Sequence, residues 1–233
     1  MKKVILNLML LCSIMGFTSC EDPTSQDTSK ITYYATLELK GEATMFWTLG
    51  ETFQDPGYVA EMQGEDVTDQ VVVNGEVDVN TPGIYQLTYV ITNEDGFSVT
   101  DSRTVMVADT TPSPITSATW TATSDSYRDY NGITAYGAEY PIVILQTEPG
   151  KFYVSDFLGG WYDKRAGYGS DYAMEGHFQL NADNTITAID SYVAGWGDSM
   201  NEMVDGKYDP ETGQISWMIN YATDLKFYVT LKL

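Results

Sequence analysis

The feature that most constrains this chain is the period-two alternation of Ile84–Thr92. Tyr85, Leu87, Tyr89 and Ile91 fall on one side of an extended segment, while Gln86, Thr88 and Thr92 fall on the other. Successive side chains of a strand point to opposite faces, so this is a strand with one face buried and one solvated. Asn93-Glu94-Asp95-Gly96 follows as a turn with a glycine available for positive φ, and Phe97 and Val99 restart the alternation, which ends at Val105 and Val107. The two segments form a hairpin.

The same grammar recurs downstream. Pro141–Thr147 and Lys151–Leu158 flank Glu148-Pro149-Gly150, and Ala173–Leu180 and Thr185–Tyr192 flank Asn181–Asn184. Gln214–Asn220 follows the Tyr208–Gly213 turn. The last strand is expected to point Phe227, Val229, Leu231 and Leu233 inward. No sustained helical period occurs, so the fold class is all-β. Asp109-Thr110-Thr111-Pro112-Ser113-Pro114 interrupts the pattern with two prolines and no apolar residue, which reads as a polar, semi-rigid linker. The boundaries are then a first domain at 31–109, a linker at 110–116 and a second domain at 117–233. About eight strands in sequential hairpins make the second domain an antiparallel barrel or a sandwich.

The N-terminus sets the compartment. Met1-Lys2-Lys3 precedes an apolar run, Val4–Phe17, too short to span a bilayer at about 20 residues. Thr18-Ser19-Cys20 follows. The segment resembles the lipobox of bacterial lipoproteins, which implies a signal peptide at 1–19 and lipidation of Cys20. Cys12 lies in the segment that would be removed, so Cys20 has no partner for a disulfide, and acylation accounts for the odd thiol. The polar stretch to residue 30 is a tether. Acidic Glu21 and Asp22 directly after the cysteine resemble the export signal of Bacteroidetes surface lipoproteins, which implies an outer-membrane location facing outward.

A second resemblance covers the first domain. Gly50–Tyr58, with Asp55-Pro56-Gly57 inside it, then Glu65–Thr68 and Val71, Asn80–Tyr85 and Tyr89, Asp95-Gly96, and Arg103-Thr104-Val105 are similar in order and spacing to bacterial immunoglobulin-like modules. The resemblance implies a seven-stranded immunoglobulin-like sandwich without the antibody disulfide. Such modules serve as spacers or adhesion units, and some bind calcium. Glu65, Asp66 and Asp69 are weak candidate ligands here, but calcium takes six or more oxygens, and three scattered carboxylates read rather as a solvated acidic loop with no metal. The second domain is similar to uncharacterised all-β domains that follow such modules in Bacteroidetes lipoproteins.

Charge restricts the partners. The chain has formal net charge −21, and removal of Lys2 and Lys3 without any acid takes the mature form to −23. Such a surface repels phosphate backbones and excludes nucleic acid. Contact with membrane is expected through the lipid anchor alone.

Candidate chemistry concentrates in the glycine- and aromatic-rich stretch Asp156–Gly176 and its smaller echo Val193–Asp198. Trp161, Tyr162, Tyr168, Tyr172 and Trp196, with Asp163, are candidate glycan-binding residues: sugar C–H faces pack on aromatic rings while polar groups take the hydroxyls. The competing reading is core packing of the same rings. For catalysis, Asp156, Asp163 and Glu175 near His177 are the best acids available, but abundance of acids alone does not make a carboxylate pair. His177 is the single histidine, and no Gly-x-Ser-x-Gly elbow occurs. A non-catalytic protein without cofactor is therefore expected, with a polysaccharide or another surface protein as partner. Resemblance to lipoproteins encoded with glycan uptake systems implies glycan capture or adhesion; the alternative is an accessory subunit of an outer-membrane complex.

Overall fold

The computed structural model describes residues 31–233. The expected signal peptide (1–19) and the lipidated Cys20 with its tether (20–30) lie outside the described residues.

The first domain is a seven-stranded sandwich. One sheet has the order β1 (Thr36–Leu39), β3 (Tyr58–Met62), β4 (Glu65–Asp66). The other has the order β2 (Thr44–Thr48), β7 (Ser98–Ala108), β6 (Gly83–Thr92), β5 (Val72–Asn74). β6 and β7 form the predicted hairpin, in register from Gly83–Val107 to Thr92–Ser98, and β2 adds to β7 in parallel. Leu87, Tyr89 and Ile91 are buried as the alternation requires. Asp55, Tyr89 and Arg103, three residues of the immunoglobulin-like pattern, meet in one polar knot. The buried Arg103 guanidinium pairs with Asp55 and donates to the carbonyls of Glu42 (3.1 Å) and Lys40 (2.5 Å). The Tyr89 hydroxyl donates to Asp55 at 2.6 Å. The pattern residues thus tie the chain entering β2 and β3 to the long hairpin.

The second domain holds ten strands: β8 (Ala118–Ala122), β9 (Tyr127–Asp129), β10 (Ile133–Ala135), β11 (Tyr140–Glu148), β12 (Lys151–Val154), β13 (Met174–Leu180), β14 (Ile186–Val193), β15 (Glu202–Asp209), β16 (Gln214–Tyr221) and β17 (Leu225–Lys232). The ladder runs β15-β16-β17-β8-β11-β12-β13-β14, and β9-β10 attach to β17. This is a β-sandwich and not a closed barrel. β14 and β15 have no ladder between them, only the isolated Thr185–Lys207 bridge beside it. Strand count alone leaves closure undetermined; the missing ladder decides it.

Between the layers lie Trp120, Ile142, Ile144, Phe152, Phe178, Trp217 and Phe227. Ile215, Trp217, Ile219 and Tyr221 of β16 are buried at every second position. Phe227, Val229 and Leu231 point inward as expected, whereas Leu233 does not: it lies past the last strand and is 67% exposed. Burying each such side chain contributes about 1.5–3 kcal/mol.

The domains touch. Met106 and Ala108 of β7 pack on Leu145, with Val143 and Tyr153 against them. The Asp109 amide donates to the Gln146 carbonyl at 2.8 Å, and Gln146 Nε2 donates to the Thr111 carbonyl at 2.8 Å. The polar linker is therefore held against β11 by backbone and side-chain hydrogen bonds.

Candidate functional site

The aromatic-rich stretch begins where β12 ends. Asp156 is buried and accepts three amides: Leu158 (2.8 Å) and Met174 (3.0 Å) on Oδ1, and Gly160 (2.8 Å) on Oδ2. Burial raises its carboxyl to about 6, against the lowering effect of those amides. Its role is to fasten the turn to β13.

Gly159 and Gly160 then take positive φ, 60° and 84°. They also lie close to the core: a Cβ on Gly160 would meet Tyr140 at 2.8 Å. The turn leads into a π-helix, Trp161–Arg165, closed by i→i+5 bonds such as Ala166 N–H to the Trp161 carbonyl at 2.9 Å.

This geometry separates the two tryptophans. Trp161 is 3% exposed and packs edge-on against Tyr136 (5.1 Å) and Phe227 (5.9 Å). The guanidiniums of Arg128 and Arg165 lie 4.6 and 4.2 Å from its ring centroid. The expectation that Trp161 belongs to an exposed platform is corrected: the left-handed glycine pair turns its side chain into the core.

The other candidates come together. The Trp196 ring lies 4.7 Å from Tyr162 and 4.9 Å from Tyr172; Tyr168 is 5.5 Å from Tyr172 and 5.9 Å from Tyr162. Tyr168 is 57% exposed and Trp196 42%, while Tyr162 and Tyr172 are half-buried beneath them. Tyr221, buried, closes the base at 6.1 Å from Trp196, and its hydroxyl donates to Asp198 at 2.7 Å. The two loops are tied by the Gly195 amide, which donates to the Asp171 carbonyl at 2.6 Å. Gly195 is needed there, since a Cβ would meet the Tyr172 ring at 2.6 Å. Tyr221 was not singled out from sequence; its place in an ordinary alternating strand gave no signal of a role beneath a surface cluster.

Asp163 pairs with Lys164 at 2.8 Å and lines an adjoining cleft of about 430 Å³ with Tyr153, Ser155, Ser170, Asp171 and Glu175. The acids considered for catalysis are otherwise engaged. Glu175 accepts from Tyr153 at 3.1 Å, and His177 Nδ1 lies 2.9 Å from Asp190. Among the described residues no group of three His, Cys, Asp or Glu is arranged to hold a metal ion. Glu65, Asp66 and Asp69, the weak calcium candidates, are not among any such group. Asp66 instead takes the Thr68 amide at 2.9 Å, and Thr68 holds its carboxyl below the ordinary range.

A family model of a C-terminal domain matches residues 109–233, and that of the bacterial surface protein Ig-like domain matches residues 37–107. The crystal structure of the lipoprotein BT2262 from Bacteroides thetaiotaomicron is 54% identical, covers 86% of this chain and 100% of its own, and superposes with a TM-score of 0.76. The chain belongs to the BT2262 lipoprotein family. Membership of the BT2262 family places it among cell-envelope lipoproteins with an immunoglobulin-like module. Two structures from Clostridium perfringens ZmpB that include CBM51 modules share 16% and 18% identity and a TM-score of 0.28 over 52% of this chain, and 29% and 14% of theirs. No curated protein matches the chain.

Proposed function

We propose that this protein is a non-catalytic lipoprotein of the outer membrane, displayed outward, whose C-terminal domain captures a glycan on the Tyr168–Trp196 cluster. One observation supports this reading above others. Four aromatic rings from two loops converge on one surface, two of them exposed, beside a cleft lined by hydroxyl and carboxylate groups. Contiguous exposed apolar patches mark interaction or ligand sites, and a rigid β scaffold holding aromatic loops suits recognition. The immunoglobulin-like module would hold that surface away from the anchor.

The test is affinity electrophoresis of the soluble chain from residue 30 onward against neutral and acidic polysaccharides. The expected result is retardation by one glycan class and its loss in Trp196→Ala. Unretarded migration across the panel overturns the reading.

A second reading, an accessory subunit of an outer-membrane complex, has one observation in its favour: the β9–β10 hairpin leaves Tyr130 and Ile133 exposed at the edge of the sheet. Co-purification of membrane partners that is lost on Ile133→Asp would favour it.

A further inference from the structure

Four large apolar side chains stand exposed together where the described chain enters the first domain: Ile31, Tyr33, Tyr34 and Phe97. Ile31 is 71% exposed and Tyr34 60%. They come from two segments that Asn93 fastens to each other. Its Nδ2 donates to the Tyr33 carbonyl at 2.7 Å, and its Oδ1 accepts the amides of Asp95 at 3.1 Å and Phe97 at 2.8 Å. The Tyr34 and Phe97 rings lie 5.5 Å apart, and Ile31 and Tyr33 line one hollow with Met62, Asn93 and Glu94. Contiguous exposed apolar surface of this kind marks a contact with a protein or a membrane.

Position in the fold narrows the choice. The turn that carries Phe97 opens β7, and the second domain packs on the far end of that strand, at Met106 and Ala108. At about 3.3 Å per residue the two ends are roughly 30 Å apart. The patch therefore belongs to the end of the first domain away from the second, and the chain arrives there from Cys20. The steps from Cys20 to Ile31 span at most about 40 Å. Apart from Pro23, residues 21–30 carry no apolar side chain to lay on the rings. What an acylated Cys20 brings within reach is a lipid surface.

The side chains suit that surface. Aromatic rings, and tyrosine above all with its apolar body and polar tip, settle at the headgroup level of a bilayer. Glu94, exposed in the same turn, sets the depth and the lipid: a carboxylate neither enters hydrocarbon nor favours anionic headgroups. Four side chains bind a membrane weakly by themselves, but an anchor so close holds them there at high effective concentration.

We propose that Ile31, Tyr33, Tyr34 and Phe97 rest in the headgroup region of the membrane that holds the anchor, so that the first domain stands on the bilayer and the second is turned away from it. The proposal rests on the lipoprotein reading for the anchor at Cys20 and takes nothing from the aromatic cluster.

Lipidation of Cys20 leaves the mature chain without a free thiol, since Cys12 falls in the signal peptide, so an introduced cysteine can be labelled alone. The acylated Ser98→Cys chain, labelled beside Phe97 with the fluorophore NBD, is reconstituted in phosphatidylcholine vesicles. Glu211→Cys, in an exposed turn of the second domain, is the comparison. The expected result is blue-shifted emission from Ser98→Cys that nitroxide-labelled phosphatidylcholine quenches, and neither change from Glu211→Cys. Tyr34→Ser combined with Phe97→Ser should abolish both; should that pair disturb the fold, Ile31→Asp decides. Water-like, unquenched emission from Ser98→Cys overturns the proposal, as does equal quenching at the two positions or quenching that the patch variants leave unchanged. A disulfide-linked dimer of unlabelled Ser98→Cys with no quenching means that a second copy covers the rings, and overturns it likewise. Intact mass separates the two readings. A mature chain without acyl groups removes the anchor and the proposal together, whereas an acylated chain with a water-like label overturns the proposal and leaves the lipoprotein reading standing.

Discussion

Arg103 and Asp55 form an ion pair 48 residues apart in sequence, in which the arginine side chain has no exposed surface while the aspartate keeps 27% of its own. Removing the arginine leaves the Lys40 and Glu42 carbonyls and a partly exposed carboxylate without their donor, a loss of about 1–3 kcal/mol. Arg103→Met should therefore lower the urea midpoint of the first domain by a large fraction of its stability, while Arg103→Lys recovers only part, since an ammonium cannot reach the Lys40 and Glu42 carbonyls and Asp55 together. A melt of Arg103→Met that matches the wild type would show that the knot is dispensable.

The two tryptophans of the aromatic-rich loops should behave oppositely. Trp161→Ala removes a core ring and is expected to cost about 3–5 kcal/mol. Trp196→Ala truncates a ring that is 42% exposed, so the thermal midpoint should shift little while ligand retention falls. Paired thermal melts and affinity electrophoresis check both halves at once.

Asp156 makes stability depend on pH in the opposite sense to most carboxylates. Its folded value of about 6 lies above the unfolded 3.8, so the native state holds the proton more tightly. Its contribution is fully present below about pH 4 and is lost as pH rises through 6, a difference of about 3 kcal/mol. Asp66, Asp78, Asp183 and Asp209 are shifted downward by their hydrogen bonds and pull the other way, losing stability as pH falls. The informative quantity is the wild-type curve minus that of Asp156→Asn, from urea unfolding between pH 4 and 7. It should slope downward across that window; a flat difference would mean that Asp156 is not buried as described.

The linker should resist proteolysis. Its backbone is bonded to Gln146 on both sides, and Met106 and Ala108 pack on Leu145 just before it. Thermolysin is expected to leave the segment from Asp109 to Ser117 intact in the wild type and to cut it in Gln146→Ala, read by intact-mass spectrometry of the fragments.

What could be read from sequence was whatever repeats locally. Tyr85, Leu87, Tyr89 and Ile91 announce their strand because a strand places alternate residues on one face. Trp161 and Trp196 could not be told apart in that way. Both sit among glycines, and the difference is the consecutive left-handed conformation of Gly159 and Gly160, a backbone state that glycine permits and does not announce. The pairing of Asp55 with Arg103 likewise depends on contacts between distant segments. Composition gave the linker as polar and semi-rigid but not its partner: its polar groups bind it to β11.

Gly195 offers the sharpest test of how the cluster is built. Its φ is not left-handed, so alanine there meets no backbone strain. The obstacle is the Tyr172 ring, which a Cβ would approach at 2.6 Å. The ring would have to swing away or the loop to lift, and either motion separates Tyr172 from Trp196, now 4.9 Å apart. Gly195→Ala should therefore weaken ligand retention as much as Trp196→Ala does, while leaving the indole itself present. Trp196 fluorescence should shift to the red as the ring becomes more exposed. Full retention in Gly195→Ala would mean that Tyr172 plays no part in the binding surface and that Trp196 and Tyr168 suffice.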